Sequence, residues 1–245
     1  MSSPVNQTPV NQSGPLGAGF TPWFGVEPNL RAHRTLLWLG LVVSVVFNAA
    51  ILVDGALRPG YDWLRQPMSA LSLGPGGWLQ VTGFIVFGVF QCVTAAAWRA
   101  SLVGGFGVTA MPVLKILSGL TLIGAGVFTQ DPALGYPLGV PAPAAPSLHA
   151  VIHQGVSYVS LSAAVATLVV LAIRFAREPG WRRWAPWAVL AAVAMMASLA
   201  TFGALIGHGG DGGIFEKLAS WIPTLYGLAI VVRLLAGDAR IGAHT

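Results

Sequence analysis

Hydrophobic positions in this chain gather into six long runs, Thr35 to Asp54, Trp78 to Ala97, Pro112 to Phe128, Ala150 to Ile173, Ala185 to Ile206 and Leu218 to Ala236. Each approaches the ~20 residues that an α-helix needs to cross the hydrocarbon core of a bilayer. The runs are continuous rather than alternating, so they are not barrel strands. Backbone in lipid must satisfy its own polar groups, which leaves helix. The pattern predicts an all-α fold, a polytopic bundle of six transmembrane helices over residues 31–238, flanked by tails at 1–30 and 239–245.

Composition agrees, because 55% hydrophobic and 9% charged residues in a chain of 245 are too apolar for a water-facing surface. The net charge of +5 raises nucleic acid as a partner, but the placement of the charges argues for a membrane instead. With the N-terminus inside, Arg31, Arg34, Arg99, Lys115, Arg174, Arg177, Arg182, Arg183, Arg233 and Arg240 fall on the cytoplasmic face or snorkel toward it. Arg58, Arg65 and Lys217 fall outside, a bias of ten against three. The positive-inside rule then gives an N-in, C-in topology in a cell membrane, read as a prokaryotic plasma membrane. Most acids (Asp54, Asp62, Asp131, Asp211, Glu216) lie on the external side.

Residues 1–30, with Pro-Val-Asn-Gln repeated at Pro4 and Pro9, have the composition of a disordered tail. The sequons at Asn6 and Asn11 carry no meaning on a cytoplasmic segment. The first apolar run is too long and starts too late for a cleaved signal, so it reads as an anchor. Cys92, the only cysteine, excludes a disulfide framework and a cysteine-based metal site.

Small residues in the second and third spans, Gly83, Gly88, Gly119, Gly124 and Gly126, predict close helix approach, since lipid supplies no hydrophobic drive for association. Ser44, Asn48, Ser118 and Thr121 are expected to hydrogen-bond across the bundle. Pro223 removes one amide from the sixth helix and is expected to kink it.

Two stretches carry a family resemblance. Gln66-Pro67-Met68-Ser69-Ala70-Leu71-Ser72-Leu73-Gly74-Pro75-Gly76-Gly77-Trp78-Leu79-Gln80 is one. The other is Gly126-Val127-Phe128-Thr129-Gln130-Asp131-Pro132, followed by Gly135-Tyr136-Pro137, a Pro-rich loop and His149. Together they resemble a bacterial membrane family catalogued as domain of unknown function 998, across roughly Leu36 to Leu235. The resemblance implies a six-helix integral membrane protein and brings no established activity.

Chemistry is therefore sought on the external face. His149 and His153 lie four residues apart, one turn of helix, and Ser157 and Ser160 continue the same arc, with Tyr158 opposite. This stripe descends about 16 Å at ~1.5 Å per residue and predicts an outward-opening pocket, because polar residues at depth face a bundle interior or a cavity. Asp131, His208 and Asp211 stand at the external ends of neighbouring helices. His149, His153 and His208 together have the ligand count of a catalytic zinc site. Ala150 replaces the glutamate of a His-Glu-x-x-His motif, so Asp131 or Asp211 would serve as catalytic base. Alternatively the histidines bind loop carbonyls and carboxylates, or His149 or His153 faces His208 across an axially ligated haem.

Gly207-His208-Gly209-Gly210-Asp211-Gly212 matches a dinucleotide fingerprint but follows a membrane helix rather than a strand, so no nucleotide site is read from it. Glu216 and Lys217 are expected to cap the sixth helix. The first external loop, Arg58 to Gly77, mixes aromatic, apolar and charged residues in the manner of an interfacial segment or lid. Arg174, Arg177, Arg182 and Arg183, with Trp181, Trp184 and Trp187, read as an anionic-lipid anchor. The functional expectation is an external His/Asp pocket that binds or transports a lipid or small solute. A metal-dependent hydrolase acting on a lipid or envelope substrate and a haem-binding electron-transfer subunit are the alternatives.

Overall fold

A computed structural model describes residues 30–237 and 241–242; the tail expectations for 1–30, apart from Leu30, and most of 239–245 lie outside them. The described residues form α1 (Leu30–Leu57), α2 (Trp78–Ser101), α3 (Ala110–Val127), α4 (Leu148–Arg177), α5 (Ala185–Gly207) and α6 (Gly213–Ala236). All six are long and apolar enough to cross a membrane, and no strand occurs among the described residues. The shortest, α3 with 18 residues, is roughly 27 Å long at ~1.5 Å per residue, close to the ~30 Å core.

Each helix packs against its neighbours in sequence, and α6 returns to α1, closing a six-membered ring. Small residues set the tightest crossing. A Cβ on Gly88 would stand 2.6 Å from the Gly119 carbonyl oxygen, and one on Gly119 equally close to that of Gly88. The close approach of α2 and α3 therefore requires glycine on both sides. Asn48 ties α1 to α6, donating to Thr224 Oγ1 at 3.1 Å and accepting from Ser220 Oγ at 2.8 Å. Ser118 and Ser160 join α3 to α4 at 3.1 Å. Thr121 instead bonds within its own helix, to the carbonyls of Leu117 and Ser118. Helix α6 runs continuously through Pro223.

One end of the ring carries the α1–α2, α3–α4 and α5–α6 loops. There the first loop is not an interfacial lid. Its 3-10 turn, Met68–Ser72, is buried throughout, with Leu71 fully enclosed, and it packs with Phe47, Ile51, Tyr61, Phe84 and Tyr136. The loop is a plug seated in the mouth of the ring, while Trp63 and Leu64 remain exposed. An apolar-aromatic segment has the same composition whether it lies at headgroups or under neighbouring loops, which is why the lid reading differs from the observed burial.

The other end holds the α2–α3 and α4–α5 loops and the ends of α1 and α6. Arg174, expected among the lipid-anchoring arginines, is buried. Its guanidinium donates to the carbonyls of Val103, Gly104, Phe106 and Ile241 and pairs with Glu178 at 2.9 Å. Ile241 is seated beside Leu102 in a short parallel bridge. Arg177, Arg182, Arg183 and Arg233 remain exposed at this end.

Candidate functional site

The ring encloses a cavity of about 190 Å³, lined from all six helices and by Met68 and Ser69 of the plug. Its walls are mainly apolar. Phe47, Phe84 and Phe87 stand near the plug, and Leu37, Trp98 and Met111 toward the opposite end. Polar groups interrupt them at intervals. Ser157 and Ser160, both in the expected stripe, line it together with Ser118, Ser220 and Thr224.

The two serines of the stripe thus face the cavity, and the two histidines do not line it. His153 is buried, but its Nδ1 lies 3.0 Å from the Ala125 carbonyl and 2.7 Å from that of Phe128. Those acceptors require the proton on Nδ1 and commit the ring to holding α4 against the last turn of α3. His149, in the first turn of α4, is exposed, with Phe128 edge-on at 5.4 Å. His208 caps the end of α5 and is exposed, as is Asp211. Among the described residues no three His, Cys, Asp or Glu side chains come together as metal ligands. The trio His149, His153 and His208 is thus not assembled, and a haem slot facing α5 is not formed by a His153 that turns to α3.

Asp131 has a different task. Its carboxylate accepts from Ser147 N–H and Ser147 Oγ, both at 2.7 Å, and Ser147 Oγ in turn accepts from Ala150 N–H at 3.1 Å. Those bonds hold the Asp131 carboxyl below the usual carboxylate range, because they stabilise the charged form. Its role in this arrangement is to support the N-cap of α4.

The plug is fixed by residues of both motif stretches. Gln66 donates to the Leu134 carbonyl at 3.1 Å, Ser69 to Gln130 Oε1 at 2.6 Å, and the Tyr61 and Tyr136 rings meet edge-on at 5.4 Å. Arg58 pairs with Asp54 at 2.9 Å and donates to the carbonyls of Leu71, Leu73 and Pro75. Burial pushes the Tyr61 phenol up, and nearby Glu216 adds to that effect. Helix α6 supplies the rest. Its first amides, of Gly213 and Ile214, donate to the carbonyls of Arg65 and Leu64, and Glu216 Oε2 accepts the Met68 amide at 2.6 Å. A Cβ on Gly213 would lie 2.1 Å from the Gln66 carbonyl oxygen, so only glycine admits the plug here. Lys217 Nζ donates to the carbonyls of Trp63, Gln66 and Gly213 at 2.9, 2.8 and 3.2 Å. Glu216 and Lys217 thus anchor the plug rather than merely cap α6.

Lys115, expected near the inner end of its span, turns into the ring. It lines the cavity, donates to Gln91 Oε1 and lies 5.8 Å from the Trp98 ring centre. The signal that was available is the rule that an ionisable residue inside a span marks a functional site by default.

Residues 41–233, more than half of the chain, match the model of the family described as "Protein of unknown function (DUF998)". No curated protein and no solved structure matches the chain.

Proposed function

We propose, for a chain that belongs to the DUF998 family of unknown function, that this integral membrane protein binds a small solute inside its helix ring and carries it across the membrane. The observation behind this reading is the plugged cavity of about 190 Å³ with a mixed apolar and hydroxyl lining. Its volume supports the smaller of the two ligand sizes the sequence left open. An engineered cavity of ~150 Å³ holds benzene, whereas drug-sized ligands occupy ~300 Å³ or more. A solute of benzene size or slightly larger fits; a diacyl lipid does not.

The exposed Arg177, Arg182, Arg183 and Arg233 support a cytoplasmic position for the end opposite the plug, with the plug facing outward and membrane lipids around the ring. The hydrolase and haem readings gain no support from the dispersed histidines. Solute binding is tested with hexanol and detergent-purified full chain by titration calorimetry. Saturable binding is expected in the wild type and not in Ala164→Phe, which fills the cavity wall, with monodisperse elution checking that the variant folds. Equal binding by the filled variant would contradict the reading.

A further inference from the structure

An ammonium group brings three N–H donors and one positive charge. At Lys115 the described residues answer one donor, through Gln91 Oε1, and the face of Trp98 adds an attraction to the charge without neutralising it. Among the described residues several other charged groups in the bundle have polar partners that answer them. Arg58 has Asp54, Arg174 has Glu178, and Glu216 accepts the Met68 amide. Among the described residues Glu216 is the only acid that lines the cavity, and it lies at the plug end beside Met68 and Ser69. Lys115 lies with Trp98 and Met111 toward the other end. An unpaired ammonium in a membrane-spanning bundle carries a desolvation cost that a single neutral amide does not offset.

The surrounding donors sharpen the point. Because Gln91 turns its oxygen to Lys115, its Nε2 is the other half of the amide, and among the described residues it has no acceptor. Two N–H groups of Lys115 and two of Gln91 therefore remain, all donors. The Thr94 hydroxyl, one turn from Gln91 on α2, already gives its proton to the Phe90 carbonyl at 2.7 Å, so it adds no free donor. A cluster with one positive charge and four unspent N–H donors is complementary to a carboxylate, which only accepts and can receive two donors on each oxygen. One turn toward the plug from Gln91 stands Phe87, and two turns from Lys115 stands Leu122, both in the cavity wall. They offer apolar surface to the remainder of such a molecule.

We infer that the cavity's ligand is a small monocarboxylate with an apolar body, its carboxylate held by Lys115 and Gln91 and its body directed toward the plug. This rests on the proposal that the cavity is a solute site and adds the charge and chemical class of the solute.

Hexanoate, hexanol and hexylamine share a chain and differ in charge. Their affinities at pH 7 are measured by titration calorimetry on the detergent-purified full chain, for the wild type, Lys115→Gln, Lys115→Arg and Ala164→Phe. In the wild type hexanoate binds at least tenfold tighter than hexanol, and hexylamine weakest. Lys115→Gln brings hexanoate down to the level of hexanol, Lys115→Arg keeps most of the preference, and Ala164→Phe removes binding of all three. Equal affinity of hexanoate and hexanol in the wild type, or a hexanoate preference unchanged in Lys115→Gln, overturns the carboxylate inference and leaves the cavity reading standing. Binding that survives in Ala164→Phe, or no binding of any of the three to the wild type, overturns both.

Discussion

Lys217 and Lys115 both place an ammonium inside the ring, one under the plug and one in the cavity, and their surroundings are opposites. Lys217 donates to three carbonyls, of Trp63, Gln66 and Gly213, and its charge lies 5.3 Å from the Tyr61 ring. Two donors are spent on the backbone of the plug and the third on the first turn of α6. Lys115 donates to one amide oxygen and faces open space. The first arrangement holds a loop in place and leaves nothing for a ligand; the second is incomplete until something with negative charge fills it. Satisfaction of donors, rather than burial of charge, separates the lysine that holds the plug from the one proposed to hold a ligand.

Replacing each lysine by methionine breaks this comparison most directly. Lys217→Met strands three carbonyls under the plug, at about 1 kcal/mol or more each, so a loss of roughly 3 kcal/mol is expected in detergent thermal unfolding. Lys115→Met deletes one hydrogen bond and one uncompensated charge, which offset each other, and stability should stay within ~1 kcal/mol or rise. Equal losses for the two would erase the distinction.

A smaller effect comes from the seam beside Lys115. Gly88→Val pushes α2 from α3 where the backbones touch, costing about 1–3 kcal/mol as overpacking does, and should also weaken hexanoate binding by separating Gln91 from Lys115. Full hexanoate affinity in a folded Gly88→Val protein would show that the pair does not act as one receptor.

The two histidines of the stripe should separate as well. His153→Ala leaves the Ala125 and Phe128 carbonyls without their donor and is expected to cost about 1–2 kcal/mol. His149→Ala, at an exposed site, should fall within ~0.5 kcal/mol. A larger loss at His149, by chemical or thermal unfolding, would return it to the list of organising residues.

The smallest effect concerns Asp131. Its carboxyl titrates lower in the folded protein than the ~4 of an unfolded aspartate. Its contribution is therefore complete above about pH 4 and disappears as pH falls through the lower folded value. Melting temperatures of wild type and Asp131→Asn should differ most above pH 5, and the gap should narrow as pH falls below about 4. A gap as wide at pH 3 as at pH 6 would contradict the Ser147 clamp as its source.

Six spans were legible because a bilayer demands long uninterrupted apolar runs, and lipid leaves no other reading of them. Glycine-mediated packing and the Asn48 cross-link followed from the same scarcity of partners in hydrocarbon. What sequence could not supply was rotation and depth. His149 and His153 share a helix face, yet one turn of α4 separates an exposed ring from a buried one. Lys115 stands near enough to a helix end to snorkel, and only the position of Gln91 on the next helix turns it inward. The plug was hidden because burial of a loop depends on Glu216 and Lys217, some 150 residues later in the chain.

A crystal structure of the full chain soaked with 6-bromohexanoate tests the account most directly. The expected result is a bromine anomalous peak inside the ring on the plug side of Gln91, with the carboxylate within hydrogen-bonding distance of Lys115 Nζ. A peak only outside the ring, or a ligand in the cavity whose carboxylate turns away from Lys115, would contradict it.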